Sequence, residues 1–207
     1  MDTALARLFT ANAQWASAVN SAEPGFFEAS AKGQSPKILW FGCSDSRVPE
    51  SVLTASKPGD IFVHRNIANQ FHLHDDSALS VLTYAVDHVG VDHVVVVGHT
   101  QCGGAAACHQ SALAGAAFAP GTPLGRWLEP LTELAASLDP HNASSTEDAL
   151  NQLVEANVRQ QVDNVVASST IQNAWATGQK KVWVHGFVYN LKDGLLKDLG
   201  VSRGAPA

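Results

Sequence analysis

His93-Val94-Val95-Val96-Val97-Gly98-His99 is the stretch on which the fold turns. Successive valines lose rotamer freedom in a helix but pack well on a pleated surface, and this run has no polar residue alternating with them. It therefore predicts a strand covered on both faces, as in parallel sheets flanked by helices. Lys37-Ile38-Leu39-Trp40-Phe41-Gly42-Cys43 has the same character and follows the turn-forming Gly33-Gln34-Ser35-Pro36. Ile61-Phe62-Val63 and Lys181-Val182-Trp183-Val184-His185-Gly186 are two further strand candidates.

Between these runs the apolar spacing predicts helices over Asp76 to His88, Cys102 to Leu113, Leu124 to Leu138, and Glu147 to about Ala176, the last broken or bent along its length. Within it, Leu150, Leu153, Val154, Val158, Val162 and Val165 recur mainly at three- and four-residue spacings, giving an apolar side for the sheet or for another subunit. Leu5, Leu8, Phe9, Trp15 and Val19 fit one face of an opening helix over Ala4 to Val19. Strands separated by crossover helices imply an α/β fold with a mostly parallel sheet, whose ligand belongs outside the carboxyl ends of the strands. Nothing divides the chain, so residues 1–207 are read as one domain.

The acids outnumber the bases 19 to 13, and no Lys/Arg-rich block is available to neutralise a phosphate backbone, which argues against nucleic acid as a partner. With 45% hydrophobic and only 15% charged residues, the chain has much apolar surface to hide, some of it in subunit contacts. No apolar run is long enough to span a bilayer, and Met1-Asp2 lacks the charged start of a signal peptide. A soluble cytoplasmic protein is the simplest reading, with organellar targeting left open. The cysteines Cys43, Cys102 and Cys108 are too few for a disulfide scaffold and suit metal or thiol chemistry in a reducing compartment.

Two strand ends carry the unusual residues. Cys43 and Asp45 lie two apart, so in extended chain their side chains leave one face, while His99 and Cys102 flank the turn after the valine strand. Two thiolates and an imidazole suit zinc, with carboxylate or water in the fourth place. Such a site either stabilises structure or activates water. Asp45 is open to two roles: completing a closed shell, or pairing with Arg47 and orienting a water molecule. Arg47 offers the rigid fork that can hold a carboxylate by two parallel bonds. Cys108 sits in an Ala-rich helical stretch and reads as a small buried residue outside the site.

Cys43-Ser44-Asp45-Ser46-Arg47-Val48-Pro49-Glu50 and Gly98-His99-Thr100-Gln101-Cys102-Gly103-Gly104 closely resemble the two signatures of the β-carbonic anhydrases. The resemblance extends in matching order from about Gln34 to Gly194, through Val63-His64-Arg65-Asn66, Glu155-Ala156-Asn157-Val158 and Gly186-Phe187-Val188-Tyr189. It implies reversible hydration of carbon dioxide to bicarbonate, with one Zn2+ per chain. It further implies that Cys43, His99 and Cys102 are zinc ligands and that Asp45 and Arg47 form a gate-like dyad, Asp45 serving as a conditional fourth ligand. Gln34 matches a residue that bonds a substrate oxygen from the adjoining subunit, and Phe71 and Tyr84 are candidates for the substrate pocket. The opening segment, to about residue 32, resembles an arm that embraces a partner, so a homodimer or homotetramer is expected. Trp40, Arg65 and Tyr189 match the noncatalytic bicarbonate pocket of the type II subgroup. Zinc ligands alone leave open a relative acting on another small electrophile, such as carbon disulfide, and a silent zinc-stabilised interaction protein.

Overall fold

The strands β1 (Ile38–Cys43), β2 (Ile61–Asn66), β3 (His93–His99), β4 (Trp183–Asn190) and β5 (Leu195–Asp198) form a sheet in the order β2-β1-β3-β4-β5. The first four are parallel and β5 runs antiparallel to β4. The computed structural model of the chain describes residues 3–138, 143–178 and 180–205. These fall into two units, one up to Ser35 and one from Pro36 onward.

The first unit holds α1 (Thr3–Ala22) and α2 (Phe26–Ser30). Gly25, at φ 88°, makes the turn between them, and Trp15 packs edge-on against Phe27. Leu5, Leu8 and Phe9 are exposed on α1.

In the second unit, β1 sits between β2 and β3, so the chain leaves β1 to one side for β2 and crosses to the other side for β3. This reversal makes the carboxyl ends of β1 and β3 the topological switch point, the place where open α/β sheets bind ligands. The valine strand is covered on both faces as expected: Val94 and Val96 join the main core, and Val95 and Val97 pack with Trp40 in a smaller cluster on the opposite face.

The helices are α3 (Glu50–Leu53), α4 (Asp76–Thr83), α5 (Gly103–Leu113), α6 (Pro123–Ser137), α7 (Thr146–Ala167) and α8 (Ser169–Thr177). The long helical segment is broken between α7 and α8 at Ser168, whose backbone is extended (φ −62°, ψ 145°). Its hydroxyl donates to the Val165 carbonyl at 2.6 Å and accepts from the Ile171 amide at 3.4 Å, so one side chain closes one helix and caps the next. Two glycines let α7 lie directly on the sheet. A Cβ at Gly98 would stand 2.7 Å from Val158, and one at Gly186 would stand 2.9 Å from the same valine.

Several elements depart from expectation. The helix expected to reach His88 changes to a π-helical turn over Tyr84–Val89. β2 continues three residues past Val63, and β4 starts at Trp183 and runs beyond Gly186 to Asn190. β5 is an exposed edge strand with no buried residue, hence no alternating pattern to read.

Candidate metal centre

Cys43 is the last residue of β1 and His99 the last of β3, while Cys102 precedes the first turn of α5. The sheet thus delivers two candidate ligands from neighbouring strand ends, and a short turn returns the third. Gln101 makes that turn possible with a left-handed backbone at φ 56°. The two Sγ atoms and a ring nitrogen of His99 all lie within 4.8 Å of one another, and all three residues are buried.

Whether zinc fits is decided by the donors' own state. His99 Nδ1 bonds the Thr100 carbonyl at 2.9 Å, which places the ring proton on Nδ1 and leaves Nε2 as the free lone pair. That Nε2 is buried without a hydrogen-bond partner, a costly state for a polar atom unless something else completes it. The thiols are unequal. Cys43 is drawn down to about 4, chiefly by a hydrogen bond from Cys102 and further by His99 and the Asp45 amide, against its burial. Cys102 is pushed up by the same bond, by burial and by the Cys43 charge. Two buried cysteine sulfurs close together, beside an unpartnered imidazole nitrogen, suit a dication held among them.

Asp45 stands beside the trio, its Oδ2 3.9 Å from His99 Nε2. Its carboxylate is turned to Arg47, whose Nε donates to Oδ1 at 2.9 Å and whose Nη2 donates to Oδ2 at 2.7 Å. The Arg47 amide adds a third bond to Oδ1 at 2.9 Å. These bonds hold the Asp45 carboxyl well below the usual carboxylate range. Arg47 Nη2 also reaches the Gln101 carbonyl at 3.2 Å, linking the dyad to the turn that carries Cys102.

Arg65, on β2 opposite Gly42, supports the same loop from below. Its Nε donates to the Cys43 carbonyl at 2.8 Å and its Nη2 to the Asp45 carbonyl at 2.5 Å. Trp40 and Tyr189 belong to the smaller apolar cluster, with the Trp40 ring lying over Gly42. Trp40 and Arg65 therefore flank one glycine, and Tyr189 packs on the Trp40 side of the sheet. Phe71 is wholly buried in the main core, edge-on to Phe41. Tyr84 is half exposed on the π-helical turn, stacked on Phe62 and tilted against His88. Gln34 lies in the first unit, after α2.

Sequence reasoning missed how the loop after β2 is held. Gln70, Asn157 and Gln161 are buried there and joined by hydrogen bonds, with Gln70 Nε2 and Gln161 Nε2 both donating to Asn157 Oδ1, at 2.8 and 3.0 Å. The available signal was amides interrupting the apolar side of α7, at Asn157 and Gln161.

A family model described as carbonic anhydrase matches residues 38–196. Carbonic anhydrase from Emericella nidulans is 39% identical over 200 residues, covering 94% of this chain and 83% of that protein. Carbonic anhydrase from Saccharomyces cerevisiae is 32% identical, covering 92% of this chain and 86% of its own length. Among solved structures, a tetrameric β-carbonic anhydrase from Sordaria macrospora superposes with a TM-score of 0.88 at 33% identity, covering 98% of this chain and 100% of the other. A Coccomyxa β-carbonic anhydrase in complex with acetazolamide superposes at 0.84 with 35% identity, covering 94% and 86%.

Proposed function

This chain belongs to the β-carbonic anhydrases and catalyses the zinc-dependent, reversible hydration of carbon dioxide to bicarbonate and a proton; from that premise we propose that Cys43, His99 and Cys102 hold one zinc per chain and that Asp45 and Arg47 govern its fourth position. The observation that carries this is the buried His99 Nε2, which lacks a partner, within 4.8 Å of two cysteine sulfurs. The chemistry zinc supplies there is Lewis-acid activation of water and stabilisation of negative charge on oxygen.

The chain's own residues do the rest. The Thr100 carbonyl keeps the His99 proton on Nδ1, so Nε2 stays a ligand. Asp45, fixed by the Arg47 fork, accepts a hydrogen bond from the attacking water and orients its lone pair toward carbon. Released from Arg47, the same carboxylate would be free to join the residues that would hold the metal, and turnover would then stop. The dyad is paired in this structure, the arrangement that this reading assigns to the active state.

We further propose the type II form of regulation, in which bicarbonate bound among Trp40, Arg65 and Tyr189 favours the closed state. Arg65 bonds the backbone carbonyls of Cys43 and Asp45, so a ligand drawing on its guanidinium acts directly on the loop that carries the gate. The coupling is reciprocal, since bicarbonate shifts the gate only by binding one state better than the other. Self-association as a dimer or tetramer, with Gln34 reaching a partner's pocket, is supported by the tetrameric relatives and by the exposed Leu5, Leu8 and Phe9 of α1. No helix among the described residues is long and apolar enough to cross a membrane.

Metal analysis and zinc-edge spectroscopy test the centre: about one zinc per chain in a sulfur-rich shell is expected, and a fully active metal-free protein overturns the assignment. Initial hydration rates with and without bicarbonate, in wild type and Tyr189→Phe, test the regulation. An unchanged bicarbonate response in the variant rejects the effector pocket and leaves the zinc centre standing.

A further inference from the structure

We propose a second metal site, formed by His93 and His185 near the amino ends of β3 and β4, that takes a borderline divalent ion such as Zn2+ or Ni2+. The two rings face each other across the strand pair, with His93 Nδ1 3.1 Å from His185 Nε2. Two imidazole nitrogens on one ion, each at about 2.0–2.1 Å, stand about 2.9 Å apart at a right angle and about 3.4 Å apart in a tetrahedron. The observed separation falls between these limits, so an ion enters with little backbone movement.

Three further features make this more than a chance meeting of two side chains. His185 Nδ1 bonds the Ser202 hydroxyl at 2.8 Å, which aims Nε2 at His93; metal-binding imidazoles are oriented in this way by a partner on the second nitrogen. The His185 ring is held in a stack between Trp183 and Phe187, at interplanar angles of 16° and 13°. The His93 side is exposed, so water completes the coordination.

The proton balance is simple. With His185 Nδ1–H donating to Ser202, His185 Nε2 accepts from His93 Nδ1–H. Ion binding takes both facing nitrogens and moves the His93 proton from Nδ1 to Nε2, with no net release. His93 begins the strand that His99 ends, six residues or about 20 Å away, so this site is separate from the catalytic centre.

Equilibrium dialysis of the zinc-loaded protein against micromolar Zn2+ tests the site. Two zinc ions per chain are expected in wild type and one in His93→Ala and His185→Ala, both retaining hydration turnover. His93→Gln keeps a donor for His185 but removes the imidazole, and it also loses the second ion. Ser202→Ala weakens the second site by about ten- to a hundredfold. Saturation of wild type at one ion, or a second ion that persists in both histidine-to-alanine variants, overturns the proposal.

Discussion

The loop after β1 and the loop after β2 leave adjacent strands at the same sheet edge, where Cys43 pairs with Asn66, yet they are held by opposite means. The first is fixed by charge near the surface, through the Asp45–Arg47 pair, with half of the Arg47 side chain exposed. The second is fixed by neutral amides in the interior. Asn66 bonds both the amide and the carbonyl of Gln70, and Asn157 Nδ2 holds the Ala68 carbonyl at 3.0 Å. Gln161 Oε1 accepts the Phe71 amide at 2.9 Å. An exposed ion pair contributes little net stability and re-forms easily, whereas a buried amide network is costly to leave half made. The charged loop can therefore serve as a moving part and the amide loop as its frame. The frame bears on the centre directly, because the Asn66 carbonyl accepts the Ser44 amide at 2.8 Å.

The largest effect is expected at the Cys43, His99 and Cys102 trio itself. Cys43→Ala removes a proposed ligand, and the sulfur-bound zinc and hydration turnover should both be lost; zinc-edge spectroscopy beside an activity assay checks this. Retention of zinc and turnover would mean that the charged loop does not serve a metal at all.

Breaking the frame comes next. Asn157→Leu leaves Gln70 Nε2, Gln161 Nε2 and the Ala68 carbonyl each short of a partner, and the loss of stability should be about 3 kcal/mol in urea denaturation. A loss under about 1 kcal/mol would erase the contrast between frame and moving part.

Breaking the moving part should do the reverse. Arg47→Ala should leave the denaturation midpoint nearly unchanged while turnover falls about a hundredfold, since Asp45 loses the fork that holds it in place. The same pair sets an acid limb. The folded Asp45 carboxyl is depressed below its ordinary value, so its stabilising contribution is fully present above the ordinary carboxylate range and is lost as pH falls through the lower folded value. Any stability gap between wild type and Arg47→Ala should accordingly narrow on acidification, and a gap that widens would contradict the pairing.

The charged loop was legible in the sequence and the amide frame was not. Thiols, imidazole, carboxylate and guanidinium have few bland uses in combination, so Cys43, Asp45, Arg47, His99 and Cys102 stood out before any geometry. Gln70 and Gln161 are ordinary surface residues by type, and only burial reveals them. The end of β2 was hidden for a related reason. His64, Arg65 and Asn66 look like the start of a loop, but Arg65 and Asn66 belong to the strand and spend their polar groups on nearby carbonyls. The break between α7 and α8 was foreseen without its cause, which is the double role of the Ser168 hydroxyl.

The smallest effect separates backbone from side chain in the turn that joins His99 to Cys102. Gln101 is exposed and left-handed, a conformation that costs a non-glycine residue about 1–2 kcal/mol. Gln101→Gly relieves that strain but loosens the unfolded chain by about 0.4–1 kcal/mol, so the net change in stability should be about 1 kcal/mol or less. Turnover should also stay within about twofold, well short of the loss expected for an orienting group, because Arg47 bonds the Gln101 carbonyl, which glycine retains. Gln101→Pro fixes φ near −65° where +56° is needed, swings that carbonyl away and should lower turnover with zinc content. Steady-state hydration rates for the two variants decide the point: a glycine variant as damaged as Arg47→Ala would show that the side chain, rather than the turn, supports the dyad.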